Sequence, residues 1–375
     1  MALSTFLFVT VESLPSGLLT LMAPDLGRST SQIGLLVTGY AVVVLATSVP
    51  LAHWTRGIAR RWVLSGCAGL AAVATLWAAL APTYEQLMAA RLVTAVAQAL
   101  FWVAVVPATI GLFRPAVRGK VMSRLAIGNS LAPVLGVPVG TWLAEHTSWR
   151  WTFVAVAALS LLVTVVVLTL FPTIAPSAGG ASRAPHPSAR RFGFLLVTTA
   201  LVLTSAFGII TFVTQYAIDI TGLTQADVPR LLLLQGAAGV LGAFTIGRFI
   251  DAHPVAVLLV ALGLMTAAAG ALWAFGEHPV PAVAALAVFG FSFSGVPPAL
   301  THRTMLVAPR STNMAQAISS SVFNVGIAAG SGLGAALVAV VGVHAVPLAS
   351  AAVAMLALLV ALAEERFSPP LAGSR

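Results

Sequence analysis

The sequence predicts an all-α integral membrane protein with twelve transmembrane helices in two pseudo-symmetric six-helix bundles. Three observations carry the prediction. The chain of 375 residues is 59% hydrophobic and only 8% charged, where soluble domains carry roughly 25% charged residues. Its apolar runs are continuous and rich in Ala and Leu, which suits helices and not the alternating pattern of a β-barrel. At about 20 residues per spanning helix, the length accommodates roughly a dozen spans and little else.

Charge, Pro and Gly bound the apolar runs at about residues 3–23, 32–52, 62–81, 86–110, 121–143, 149–171, 193–216, 228–249, 254–275, 279–300, 314–340 and 343–363. Residues 1–23 lack a positive n-region, and Glu12 would interrupt a signal h-region, so this run is expected to be a retained first span. Between the sixth and seventh runs lies FPTIAPSAGGASRAPHPSARR, Phe171 to Arg191, with the composition of a linker. The expected organisation is an N-terminal six-helix bundle over 1–171, a cytoplasmic linker over 172–192 and a C-terminal six-helix bundle over 193–375.

Loop charges test that count. Walking the loops alternately puts Arg56, Arg60, Arg61, Arg114, Arg118, Lys120, Arg124, Arg183, Arg190, Arg191, Arg248, Arg303 and Arg310 on one side. The other side collects Arg28, Arg150 and Arg230 with six acids, Asp25, Glu85, Glu145, Asp219, Asp227 and Glu277. The asymmetry puts both termini and the linker in the cytoplasm of a protein of the cytoplasmic membrane. The formal charge of +9 is thus spent on topology, and no nucleic-acid partner is expected. The single cysteine, Cys67, excludes an intramolecular disulfide and a multi-cysteine metal site. All seven histidines fall at loops or span ends, which argues against an embedded metal centre or a histidine proton relay.

With those assignments, two charged residues remain inside spans, Glu12 and Arg91. An intramembrane acid is expensive and asks for a partner and a function. From the 1.5 Å rise per residue, Glu12 lies roughly 13 Å and Arg91 roughly 20 Å from the cytoplasmic side, an offset that two long side chains or a water can bridge. Arg91, Ala95, Gln98 and Trp102 share one helix face, too polar for lipid. One reading makes Glu12 a titratable acid whose charge state is set by desolvation against the Arg91 cation. The other has Arg91 snorkelling outward, Gln98 bonding between helices and a structurally satisfied Glu12.

The fifth span reads GNSLAPVLGVPVG from Gly128. Small residues at 128, 132, 136 and 140 permit close helix approach, while Pro133 and Pro138 kink the helix. Gly326, Gly330 and Gly334 occupy the corresponding place in the second half, an internal-repeat signal.

These motifs together resemble the twelve-helix drug and sugar efflux branch of the major facilitator superfamily, most closely its sugar efflux transporters. They are Glu12-Ser-Leu-Pro15-Ser-Gly17 in span one, RLVTAVAQALFW from Arg91 in span four, the antiporter-like series of span five, and WRWTF from Trp149 in span six. The loop between spans two and three departs from the superfamily pattern, keeping Arg56, Arg60 and Arg61 but lacking the Asp. The equivalent second-half loop retains Arg248 and Asp251. Ala132 and Val137 also replace glycines of the antiporter motif.

The resemblance implies the major facilitator fold and a proton-coupled exporter of a small sugar-like, nucleoside or amphipathic solute, working by alternating access as a monomer in the lipid bilayer. It needs no cofactor beyond the proton gradient. Glu12 and Arg91 are the expected proton-coupling pair. Tyr40, Gln98, Trp102, Asn129, Phe207, Gln215 and Asn324 are the substrate candidates, and Gly128, Pro133, Gly136, Pro138, Gly140, Arg60, Arg61, Arg248 and Asp251 the gating candidates. An importer or uniporter on the same fold, with Arg91 binding an anionic substrate, is the alternative. A polytopic membrane enzyme would require a buried nucleophile with a base or a metal cluster.

Overall fold

The computed structural model describes residues 1–55, 57–112, 125, 127–173, 187–250, 252–309 and 312–367. Asp251, Arg114, Arg118 and most of the 172–192 linker lie outside them. The described residues contain twelve helices long and apolar enough to cross a membrane. We number them α1 (Ala2–Asp25), α2 (Thr30–Trp54), α3 (Arg60–Leu80), α4 (Tyr84–Leu112), α5 (Ile127–His146), α6 (Trp149–Leu170), α7 (Ala189–Asp219), α8 (Val228–Phe249), α9 (Pro254–Phe275), α10 (Pro279–Val307), α11 (Thr312–Val340) and α12 (Ala345–Phe367).

Helix ends follow local chemistry. Ser29 and Gln32 form a reciprocal capping box at the start of α2, and Ser148 and Ser188 cap α6 and α7. Gly27 after α1 and Gly222 after α7 both adopt positive φ, +60° and +73°. These are equivalent turns in the two halves, open to glycine for want of a Cβ.

The chain divides into two compact units, one comprising 1–179 with 225–233, the other 180–224 with 234–375. Within the first, α1 packs on α5 and α6, and α3 packs on α4 and α6. Within the second, α7 packs on α11 and α12, and α9 on α10 and α12. Adding six to each label of the first set yields the second, so the internal repeat holds at the level of packing.

The glycine faces explain the tightest of these contacts. In α5, a Cβ at Gly128 would collide with the Ala2 carbonyl and Thr5, one at Gly136 with Thr10, and one at Gly140 with Leu14. In α11, a Cβ at Gly326 would meet Leu203 and the Ala200 carbonyl, and one at Gly330 the backbone of Thr204. Gly334 sits against the Phe212 ring in the same way. Both helices therefore approach their partners backbone to backbone. The α5 prolines act alongside: Pro138 has no N–H to give to Val134, and the chain answers with a π turn over Ala132–Gly136 in which the Val137 N–H reaches the Ala132 carbonyl.

Gly330→Leu is expected to prevent α7 and α11 from docking, at a cost of about 3 kcal/mol or more since backbone cannot yield as a side chain can. Gly263→Ala, in open space on α9, is the control, expected to be as stable as the wild type or slightly more so. Thermal unfolding of the two purified variants, followed by intrinsic fluorescence, makes the comparison.

Three helices run beyond the expected spans. α7 begins at Ala189, α10 continues to Val307 and α12 to Phe367, which draws Arg191, Arg303 and Glu364 into helices as buried groups. Arg191 Nη1 bonds Glu364 at 3.3 Å and Glu365 at 3.4 Å, and Arg303 Nη2 bonds Glu364 at 2.9 Å and also Glu365. The assignment of Arg191 and Arg303 to solvated loops is thereby corrected: opposite charges that pair with one another let the helices continue where hydropathy alone breaks them.

Candidate functional site

The intramembrane charges of the first unit meet among α1, α2 and α4, and α1 sets the geometry. Pro15 sits inside that helix and has no N–H, so the Val11 carbonyl four residues earlier loses its helical donor. Arg91, 1% exposed, supplies the replacement. Its Nη1 donates to the Val11 carbonyl at 2.6 Å and its Nη2 to the Glu12 carbonyl at 3.2 Å. The guanidinium fork thus spans two consecutive backbone carbonyls at the kink, a grip that a point-charge ammonium cannot reproduce. Arg91 also lies 4.5 Å over the Tyr40 ring, a cation–π contact in a dry setting.

The expected Glu12–Arg91 pair therefore takes another form. Arg91 holds the backbone of Glu12, not its carboxylate, and so supplies the donor that a freed carbonyl in the membrane requires. The carboxylate is held by an amide: Gln98 Nε2 donates to Glu12 Oε2 at 2.7 Å, and Tyr40 Oη donates to Gln98 Oε1 at 2.6 Å. The result is a directed chain, Tyr40 to Gln98 to Glu12, in which Tyr40 and Gln98 are buried at 1% and 2% exposure and Glu12 is half-buried. The shared face of Arg91, Ala95, Gln98 and Trp102 explains why α4 contributes both the fork and the amide. One turn further, Trp102 is half-buried and edge-on to Phe101, which stacks on Phe8 of α1.

The remaining candidates are placed separately. In the first unit, Asn129 is exposed on α5, as is Pro133, while Gly128, Pro138 and Gly140 are buried and Gly136 is half-buried. Phe207, Gln215 and Asn324 belong to the second unit, all half-buried. Gln215 Nε2 donates to Asp219 Oδ2 at 3.1 Å and Asn324 Nδ2 to the Ser320 carbonyl at 3.0 Å, each within its own helix.

Of the basic gating candidates, Arg60 is half-buried, Arg248 is exposed, and Asp251 lies outside the described residues. Arg61 donates to the Leu168 carbonyl near the end of α6, supplying one of the donors that helix end lacks. At the opposite end of the bundle Arg150 donates to Asp25 and to the Ala81 carbonyl, both at 2.9 Å, tying α6 to α1 and α3.

Sequence reasoning missed the Val11 carbonyl, though its signal was present: a proline four residues downstream in a buried helix frees that carbonyl and no other. No group of three or more potential metal ligands occurs among the described residues.

Twelve membrane-length helices with a six-helix packing repeat and a carboxylate among polar partners inside the span define the architecture of a secondary transporter. The Major Facilitator Superfamily model matches residues 1–314 and, separately, 195–374, and the chain belongs to that superfamily. A relative described as a probable sugar efflux transporter, from Mannheimia succiniciproducens, is 28% identical over 336 residues, covering 89% of this chain and 85% of the relative.

Among solved structures, the chain resembles a bacterial homologue of the human lysosomal transporter Spinster in an inward-facing, unoccupied conformation, with a TM-score of 0.70, 17% identity and 98% of each chain covered. It resembles the nucleoside transporter NupG with a TM-score of 0.73, 15% identity and the same coverage. At these identities the likeness shows the fold. The protein is a multi-pass membrane transporter of small solutes and not an enzyme.

Proposed function

We propose that the protein exports a small solute from the cytoplasm in exchange for protons, by alternating access, with Glu12 as the proton-carrying group. The observation that carries this reading is the Glu12 carboxylate: it lies inside a spanning helix and its described hydrogen bond comes from the neutral Gln98 amide. A carboxylate clamped by a guanidinium resists protonation, whereas one held by an amide can take and release a proton with modest rearrangement. Movement of that charge in the membrane potential supplies about 2.3 kcal/mol per 100 mV to bias the cycle.

Export is the direction borne by the name of the Mannheimia relative, and the basic loops favour cytoplasmic termini. The solute is sugar-like, a nucleoside or an amphipathic drug. The alternative, an importer or uniporter that holds an anionic substrate on Arg91, is disfavoured because both terminal nitrogens of Arg91 are committed to backbone carbonyls. Trp102, Asn129, Phe207, Gln215 and Asn324 are the candidates with half-buried or exposed side chains to offer a solute.

Thermal stabilisation of the purified protein by sugars, nucleosides and amphipathic antibiotics identifies the solute. An inward proton gradient then imposed on proteoliposomes is expected to accelerate its counter-movement several-fold over the rate without a gradient. Equal rates under both conditions refute proton antiport.

A further inference from the structure

Resting on the proposed role of Glu12, the hydrogen-bond chain beside it carries a further assignment. We infer that Gln98 is a positioning residue that reports the charge of Glu12 to Tyr40, its amide turning over when the carboxylate takes a proton. The direction of the bonds is the argument. Charged Glu12 is acceptor-only, so Gln98 must present its Nε2 to Oε2, which leaves Oε1 facing Tyr40, and Tyr40 must donate.

Protonation reopens that choice by adding a donor to Glu12. When Glu12 is protonated its hydroxyl becomes a donor, and the group best placed to accept is the same amide after a half-turn, with Oε1 towards Glu12. That half-turn carries Nε2 to the Tyr40 side. The Tyr40 oxygen now accepts and its hydrogen is released from Gln98. A proton arriving on α1 therefore reverses a hydrogen bond between α2 and α4, with no atom displaced by more than an amide rotation. Burial of Tyr40 and Gln98 gives the reversal weight, because neither can substitute bulk water for the partner it loses.

The surrounding ionisable groups leave this chain as the route. α1 packs on α2, α5 and α6, and α4 packs on α2 and α3. From α4, Arg91 faces Tyr40 through its ring and Glu12 through backbone, and it touches neither hydroxyl nor carboxylate by a described hydrogen bond. Tyr84 and Glu85 lie in the first turn of α4, towards Arg28. Glu145 and His146 end α5, while Arg150 begins α6 and pairs with Asp25 at the far end of α1. His53 ends α2, and Arg60 and Arg61 begin α3.

The chain has three tyrosines, so the test can use fluorotyrosine-labelled, full-length protein in lipid nanodiscs. The Tyr40 fluorine resonance is assigned by its loss in Tyr40→Phe. Protonation of Glu12 is read separately, as the carboxyl infrared band that disappears in Glu12→Gln.

In the wild type, the Tyr40 resonance is expected to shift with pH along the same curve as the Glu12 band. In Gln98→Leu the Glu12 band should still titrate while the Tyr40 shift is lost, and Gln98→Asn, too short to bridge, should behave likewise. A Tyr40 shift that persists in Gln98→Leu, or one absent from the wild type while the Glu12 band titrates, overturns the role of Gln98 alone. A Glu12 band that never titrates overturns the proton-site reading beneath it.

Discussion

Glu12→Gln is expected to abolish proton-driven transport and leave the protein folded. The two expectations come from different parts of one residue. The side chain of Glu12 supplies the titratable group, and an amide in its place is permanently neutral, so an imposed pH gradient has nothing to act on. The backbone of Glu12 supplies the grip for Arg91, through the Glu12 carbonyl at 3.2 Å and the Val11 carbonyl at 2.6 Å, and the substitution leaves both in place.

The Gln98 Nε2–H can still donate to an amide oxygen at position 12, so a buried donor is not orphaned, and the loss is held to a fraction of the ~1 kcal/mol of a net hydrogen bond. The variant is therefore expected to unfold within a few degrees of the wild type and to retain solute stabilisation while its transport rate ignores the proton gradient. Transport assays across a series of imposed gradients make the measurement. A pH dependence like that of the wild type in this variant removes Glu12 from the mechanism.

How far this site was legible in the sequence follows from what each bond connects. Glu12 and Arg91 stood out because charge in an apolar run is costly, and Gln98 and Trp102 followed from helical spacing. The partner of Arg91 was not legible as a side chain because it is a backbone carbonyl, made available by Pro15, and hydropathy does not register carbonyls. Gln215 and Asn324 are solute candidates by composition, and what composition does not register is that each also donates to an acceptor one turn away on its own helix.

The fold was legible wherever apolar length decides. It blurred at Ala189, Val307 and Phe367, where Arg191, Arg303, Glu364 and Glu365 neutralise one another and read, one at a time, as loop charges. The glycine face of α5 was legible for a steric reason: small residues four apart have few uses in a membrane helix other than close approach, and Gly128, Gly136 and Gly140 meet Ala2, Thr10 and Leu14.

Removing Arg91 tests the other half of the site, and here the expected effect is on stability as well as transport. Arg91→Met keeps much of the length and the packing of the side chain but leaves the Val11 carbonyl without a donor, at about 1–3 kcal/mol for a buried unsatisfied group. Arg91→Lys restores one donor of the two, so it should fall between, losing the fork and much of the transport rate.

The decisive variant is Pro15→Ala. An alanine at position 15 has the N–H that Pro15 lacks, and that N–H points at the Val11 carbonyl four residues back. In the wild-type background Pro15→Ala gives the Val11 carbonyl, which has two lone pairs, a second donor beside Arg91 Nη1. In the Arg91→Met background it satisfies a carbonyl that would otherwise stand alone.

The two substitutions are therefore expected to be coupled, with Pro15→Ala recovering on the order of 1–2 kcal/mol of what Arg91→Met loses. Transport should not recover with it, because the Arg91 cation over the Tyr40 ring, 4.5 Å away, is still missing. Unfolding of the four proteins of the cycle in detergent, with proteoliposome transport measured on each, separates the contributions. Additive losses of stability would mean that Arg91 holds α1 by something other than the carbonyl that Pro15 sets free.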